Sequence, residues 1–454
     1  MPLLPCFARE IRSTLFLPWT LLIAVITFPL MFAGCSGPET PVEEVKVSET
    51  DAGEELPPLE YGPTDWPFWR GPSQQGKVPP DSGSDRAWTT LENEVWRVAV
   101  PGRGHSSPVV YGNQIFLLTA DEGTQRQMIL AYDKDSGNKN WEKIVHEGNF
   151  PDPGDLHPKS TNASATAACD GERVFSLFLN KGELFVTACS LTGEQLWQTS
   201  TGAYISRFGL GPSPILYKSY VIVVSEHGGG GNITALHRKT GKVAWRIKRT
   251  RNDSYSSPAV FSINGVDHMV LMGAQEVTSF DPANGDVRWT VPGTAKSTCG
   301  TPVTWENIVL ASGGYPERET LGIRVNEGAE KIWDAREKFY IPSLITFKGH
   351  VFGVNDEGIA LCWNVETGKE TLKARMRGGC SASPVLDGDQ LIVMTEYANC
   401  SILKTNVEEL EVVTERNFGT NAMASPAISG DRMFLRVAED TDSGRQESLV
   451  CLQK

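Results

Sequence analysis

Nine side chains in this 454-residue chain have types suited to binding or catalysis: His105, Ser106, His157, Asn162, Arg207, Tyr255, Cys299, Arg377 and Cys380. Imidazoles and thiols move protons or act as nucleophiles, hydroxyls and amides place hydrogen bonds, and guanidinium groups hold anions. None of the nine completes a catalytic device. The seven histidines show no HxH or HExxH spacing for a metal, and no GxSxG elbow is present for acyl transfer. Gly228-Gly229-Gly230-Gly231 is glycine-rich like a phosphate cradle, but without a helix pattern or a following Lys-Ser/Thr it reads as a loop joining two strands. Cys380 follows Arg377-Gly378-Gly379, and no activating base adjoins it. The expectation is a binding mouth with no catalytic residue and no metal site.

A repeat must position these residues. The proline of a Ser-Pro element recurs at Pro108, Pro214, Pro258, Pro302, Pro342, Pro384 and Pro426, with spacings of 44, 44, 40, 42 and 42 from Pro214 onward, and Ala167 stands in for the missing member. Between these anchors lie short apolar runs, a Gly-containing turn such as Ala283-Asn284-Gly285, and then an aromatic anchor. That anchor reads Trp96, Trp141, Trp197, Trp245, Trp289 and Trp333, then Leu372 and Val413. A period of about 40–50 residues with several short strands per unit predicts an all-β, eight-bladed β-propeller of four-stranded antiparallel blades. The flat indole suits the gap between two packed sheets, and glycine supplies the positive φ of a tight hairpin. Asn406-Val407-Glu408-Glu409 lacks that glycine and predicts a looser hairpin. The chain stops where the eighth unit still needs its outermost strand, while Val95–Val100 precedes any complete unit, so this strand is expected to close the ring.

The first 60 residues read as targeting. Arg9 and Arg12 precede an apolar run from Leu15 to Phe32, followed by Ala33-Gly34-Cys35. This order predicts a secretory signal and resembles a bacterial lipoprotein signal, with lipid attached at Cys35. An uncleaved anchor or an ordinary cleaved signal would export the remainder equally. Residues 36–60 carry eight acidic side chains, one lysine and no aromatic residue, which predicts a flexible tether. The organisation expected is a signal over 1–34, a tether over 35–60, a segment packing on the ring over 61–94, and the propeller over 95–454.

Composition narrows the partners. The net charge of −13 and the absence of dense basic runs argue against nucleic acid. Beyond Cys6 and Cys35 there remain seven cysteines at unrelated spacings, which form neither a disulfide framework nor a CxxC metal pair. Cys362 and Cys451 stand where other units have alanine or serine and read as small buried residues. Trp66, Trp69 and Arg70 read in two ways. They form either an exposed recognition patch, or a segment folded back over the ring closure with Arg70 on an aromatic face. The second is preferred because two exposed tryptophans invite aggregation.

The units resemble the PQQ-like, or quinoprotein-type, β-propeller repeat, on stretches such as Ala235–Trp245 and Ser279–Trp289. Trp66-Pro67-Phe68-Trp69-Arg70-Gly71-Pro72 and His157–Ser164 are similar to segments of many PQQ-like propeller proteins of unassigned role. The resemblance covers roughly residues 95–454. It implies either of two functions, because the repeat builds quinone-dependent dehydrogenases and also non-enzymatic, lipid-anchored outer-membrane assembly proteins of the BamB type. A quinoprotein site implies calcium, a catalytic aspartate, a tryptophan floor and, in many members, adjacent cysteines. No Cys-Cys pair occurs here, and units this short leave little room for the insertions that build such a site. The reading is therefore a non-catalytic envelope scaffold with no cofactor, monomeric, tied to the membrane by lipid and binding an envelope protein. PQQ with calcium belongs only to the alternative, an alcohol or sugar oxidoreductase.

Overall fold

The computed structural model describes residues 39–46, 54–83, 86–205, 208–442 and 444–454. The apolar leader and Cys35 lie outside the described residues. Eight four-stranded antiparallel sheets follow one another along the chain. Blades one to seven occupy residues 109–147, 168–203, 215–249, 259–292, 303–335, 345–375 and 385–417. Blade eight takes three strands from 427–453 and its outermost strand from Glu94–Val100, which pairs antiparallel with Gly444–Gln453, Val100 opposite Glu447. The ring closes between the two chain ends, which gives blade eight the same four strands as the others.

The repeat pattern works at the contact between blades. In blades one, two, three, four and six the turn before the outermost strand presents its glycine to the tryptophan of the preceding blade. A Cβ on Gly193 would fall 2.8 Å from the Trp141 ring, and one on Gly241 would fall 2.5 Å from Trp197, both at left-handed φ. Glycine is required there for two reasons at once, backbone handedness and ring contact. In three of the six anchors the indole N–H also reaches the next blade's turn: Trp141 Nε1 donates to Leu191 O at 2.8 Å, Trp197 to Arg238 O at 3.0 Å and Trp333 to Val365 O at 2.7 Å. Where the aromatic is lost, Leu372 packs in the same seam against Val407 and Leu410. The glycine-free turn still needs a left-handed residue. Val407 occupies that position, and Asn406 Oδ1 accepts from the Glu408 and Glu409 amides.

Two expectations change. The acidic segment is not free in its described parts, because it is laid along the outer edge of blade three. Val45 and Arg246 exchange backbone hydrogen bonds, Thr40 N donates to Gly229 O, and Glu39 and Glu54 meet Lys248 and Lys239. The outermost strand Val243–Arg249 offers an unpaired edge and a row of cations, which is what an acidic, extended segment complements. Segment 61–94 packs on the ring, but its first part crosses the central channel and leaves the closure seam to Trp88. Trp88 exchanges hydrogen bonds with the Gln390 side chain, and its indole N–H donates to Asp387.

Candidate functional site

In a four-stranded antiparallel blade the loop entering the innermost strand and the hairpin between the second and third strands share one face of the ring. The glycine hairpins lie on the other. Innermost strands surround the axis with unpaired backbone edges, and those edges need partners. On the glycine-hairpin face residues 65–78 supply them. Trp66 and Val110 exchange backbone hydrogen bonds, Pro67 O accepts from Cys169 N, and Gly76 and Val78 pair with Leu386. Side chains complete the set. Gln74 and Gln75 accept from the Val260 and Thr304 amides, Arg70 donates to Leu344 O and Lys77 to Thr346 Oγ1. Arg70 is thus held by main-chain carbonyls, Gln75 O being the second, and not on an aromatic face. The segment closes this mouth by tying together blades one, two, four, five, six and seven.

The Ser-Pro element has a second role that spacing does not reveal. The residue before the proline position, or in blade six Ser343 just after Pro342, places a hydroxyl that accepts the backbone N–H of its counterpart in the preceding blade. The chain of bonds runs Ser107 N to Thr166 Oγ1 at 3.0 Å, Thr166 N to Ser213 Oγ at 2.9 Å, and Ser213 N to Ser257 Oγ at 2.9 Å. It resumes from Thr301 N to Ser343 Oγ, Ser343 N to Ser383 Oγ and Ser383 N to Ser425 Oγ, and returns from Ser425 N to Ser107 Oγ at 2.9 Å. The belt spans seven of its eight steps. At the eighth, Trp69 Nε1 donates to Thr301 Oγ1 at 2.9 Å.

Above Trp69 the channel widens into a cavity of about 540 Å³, open on the other face. Trp69 is its floor, and within 65–71 it is the residue that keeps exposed surface. Thr166, Ser213 and Ser257 of the belt line the wall, with His105 beside them. Aromatic rings stand higher. His157, Phe208 and Tyr255 form an edge-to-face series with centroids 6.0 and 6.4 Å apart, and Tyr315 faces Tyr340 at 6.4 Å. Two cations and one carboxylate line the cavity: Lys159, bonded to Glu396 at 2.6 Å, Lys296, and Asp253, which accepts from Gly228 N at 2.8 Å.

Of the residues singled out in the sequence, the cavity gathers His105, His157, Tyr255 and Cys299. Burial and the nearby Arg103 push the His105 imidazole down to about 3, so it is neutral and its buried Nε2 meets no protein partner. Cys299 is a protonated thiol, pushed up to about 12 by burial and then by Asp356, which removes the nucleophile. The other candidates fall elsewhere. Ser106 is buried in the backbone, accepting from Leu118 N and donating to Ser107 O. Asn162 borders a separate small hollow beside Leu177 and Leu179. Arg377 is exposed and paired with Glu415 of blade seven's outermost strand, although Ser381 of the same loop lines the cavity. Cys380 is packed in the apolar seam of blades six and seven and pushed up to about 12 by burial. Arg207 lies outside the described residues. Sequence reasoning missed Trp69 as the floor, since only repeat tryptophans were weighed for that place. It also missed Tyr315 and Tyr340, which sit in a blade-five hairpin and a loop that carry no motif.

Calcium takes six to eight oxygen ligands. The cavity wall offers one carboxylate, already hydrogen-bonded, so its residues do not fit a calcium-held quinone. Among the described residues no group of three or more His, Cys, Asp or Glu is placed to hold a metal.

Solved structures share this architecture at low identity. BamB from Moraxella catarrhalis superposes with a TM-score of 0.58 at 14% identity, covering 80% of this chain and 99% of its own. Quinohemoprotein alcohol dehydrogenase from Comamonas testosteroni gives 0.59 at 12% identity, with 85% and 80% covered. A europium-containing methanol dehydrogenase gives 0.55 at 10% identity, with 87% and 99% covered. Such identities establish likeness of fold. No curated protein sequence matches the chain. The family model described as outer membrane protein assembly factor BamB matches residues 87–203 and 125–373, well over half of the chain, and the eight-bladed ring with its docked tryptophans agrees with it: the protein belongs to that family of PQQ-like propellers.

Proposed function

We propose that the protein is an exported, lipid-anchored propeller scaffold of the bacterial envelope that binds a protein partner through its open face and has no catalysis of its own. The observation that carries this is the placement of exposed apolar side chains. Ile205, Phe208, Tyr315 and Tyr397 are 45–66% exposed, and all stand in loops of the open face around the cavity mouth. Apolar and aromatic groups ringed by polar surface are the usual anchors of a protein interface. The opposite face has its channel closed by the chain's own segment. Family membership and the likeness to BamB support the scaffold reading, and the Phe32-Ala33-Gly34-Cys35 order supports the anchor. No quinone or metal enters this reading.

The test has two arms. Photo-reactive amino acids placed at Tyr315 and Tyr397 in cells should give one discrete adduct, and the same label at Val266, on the other face, should not. Cys35→Ala should shift the protein out of the membrane fraction. Adducts from Val266 alone would move the interface, and a processed, membrane-bound Cys35→Ala variant would remove the lipid anchor.

A further inference from the structure

We propose that the axial cavity is a binding site for a compact neutral carbohydrate, a mono- or disaccharide seated on Trp69. The site shares Phe208 and Tyr315 with the rim of the proposed interface, but its Trp69 floor and belt hydroxyls do not belong to that interface, so either proposal can fail without the other.

Four observations lead to this ligand class. First, the floor is a fixed aromatic plate. The Trp69 indole N–H is held by Thr301 Oγ1 at 2.9 Å, and its neighbours in the segment are tied to the innermost strands, so the ring presents surface to the cavity without needing to be ordered on binding. An apolar ring face pairs with the C–H face of a pyranose, whereas its polar edge needs hydrogen bonds from the walls.

Second, the walls provide those bonds. Thr166, Ser213 and Ser257 each accept a backbone N–H through the hydroxyl oxygen, and none has an acceptor for its own proton among the described residues. Each therefore offers one oriented donor, one from each of blades two, three and four, along a single arc of wall. The neutral His105 lines the same wall. Donors and acceptors in mixed array, with no net charge of their own, complement vicinal hydroxyls.

Third, the charges balance. Lys159 is neutralised by Glu396, and Lys296 and Asp253 are opposite in sign and equal in number. A neutral ligand forgoes nothing in such a site, whereas a dianion would find no clamp of cations.

Fourth, the cavity ends at Trp69. A chain cannot thread through it, and six of the eight innermost strand edges that would pair with a peptide backbone are met by residues 65–78 below the floor. A volume of about 540 Å³ lies within the range of small-ligand sites.

The experiment uses the full chain, purified in detergent. Probes are D-glucose, D-galactose, N-acetylglucosamine, maltose and trehalose, with glucuronate and a neutral tetrapeptide as contrasts. Saturation-transfer NMR reads contact with sugar C–H protons, and tryptophan fluorescence gives the affinity. At least one neutral sugar should bind saturably, at least tenfold more tightly than glucuronate or the peptide. Trp69→Leu should weaken it tenfold or more, and Trp69→Phe, which keeps a ring, by less. Ser257→Thr, which keeps the hydroxyl, should bind like the parent, and Ser257→Ala more weakly. Circular dichroism melting confirms that each variant is folded; were Trp69→Leu unfolded, the Ser257 pair would decide. Absence of saturable binding by every neutral sugar, tighter binding of glucuronate or peptide, or equal affinity in folded Trp69→Leu would overturn the proposal.

Discussion

The two mouths of the channel are built from the same eight repeats and differ in one respect: one is crossed by a segment that belongs to no repeat. On the crossed side the edges of six innermost strands find partners, and Trp69 is the residue within 65–71 that keeps surface toward the cavity. On the open side the belt hydroxyls and a ring of aromatics remain accessible. A symmetric ring cannot choose between its two ends. The N-terminal segment makes that choice, so the site belongs to the repeat and its orientation to the segment.

Nested truncations break this comparison most severely. A chain beginning at Pro101 lacks the outermost strand of blade eight and should lose cooperative melting, because the ring can no longer close. A chain beginning at Arg86 keeps closure but uncovers the innermost edges, and its melting temperature should fall by roughly 10 °C or more. A chain beginning at Tyr61 loses mainly surface contacts to blade three and should melt within about 3 °C of the full ring. Equal melting of the last two would refute the sealing role of residues 65–78.

A pair of arginines at the closing seam sharpens the contrast on a smaller scale. Arg436 and Glu447, both 98% buried, meet at 2.7 Å near the open mouth, and Arg436 also donates to Leu118 O and Thr119 Oγ1 of blade one. Arg436→Ala takes from the buried Glu447 its closest cation, leaving Arg445 at 3.2 Å, and should cost about 3 kcal/mol in urea unfolding. Arg432 spans the same seam on the crossed face, paired with the exposed Asp135 at 2.7 Å. Arg432→Ala should cost about 1 kcal/mol or less. Similar costs for the two would show that burial does not set the strength of the seam.

The smallest effect is one of pH at the open mouth. Folding depresses the His105 pKa from the ordinary 6.5 to about 3, so the unfolded chain binds the proton more readily. Its contribution is complete above pH 6.5 and is lost as pH falls from there toward 3. Acidification from pH 7 to 4.5 should therefore cost the His105→Gln variant about 1–2 kcal/mol less than the parent. Parallel losses would place the imidazole in water.

The repeat was legible because its causes are local. A hairpin needs glycine at one φ, a strand needs an apolar run, and an interblade gap needs a flat ring, so each recurs at a fixed spacing and fixes an eight-bladed all-β ring and its closing strand. His105, Tyr255 and Cys299 could be placed near the channel for the same reason, since each stands three residues before a recurring proline, and His157 because it lies in the long loop entering blade two. Arg377 and Cys380 occupy equivalent loops, yet one points outward to Glu415 and the other inward to the blade seam. Loop direction depends on neighbours distant in sequence. The same holds for Trp69, whose partner Thr301 lies 232 residues away, and for the acidic strap, whose partners are the cations of blade three. Sequence alone determined the ring, because each repeat carries its own instructions; only the tertiary structure decided which mouth is sealed and what faces the cavity, because those depend on unique segments finding edges that all eight blades offer alike.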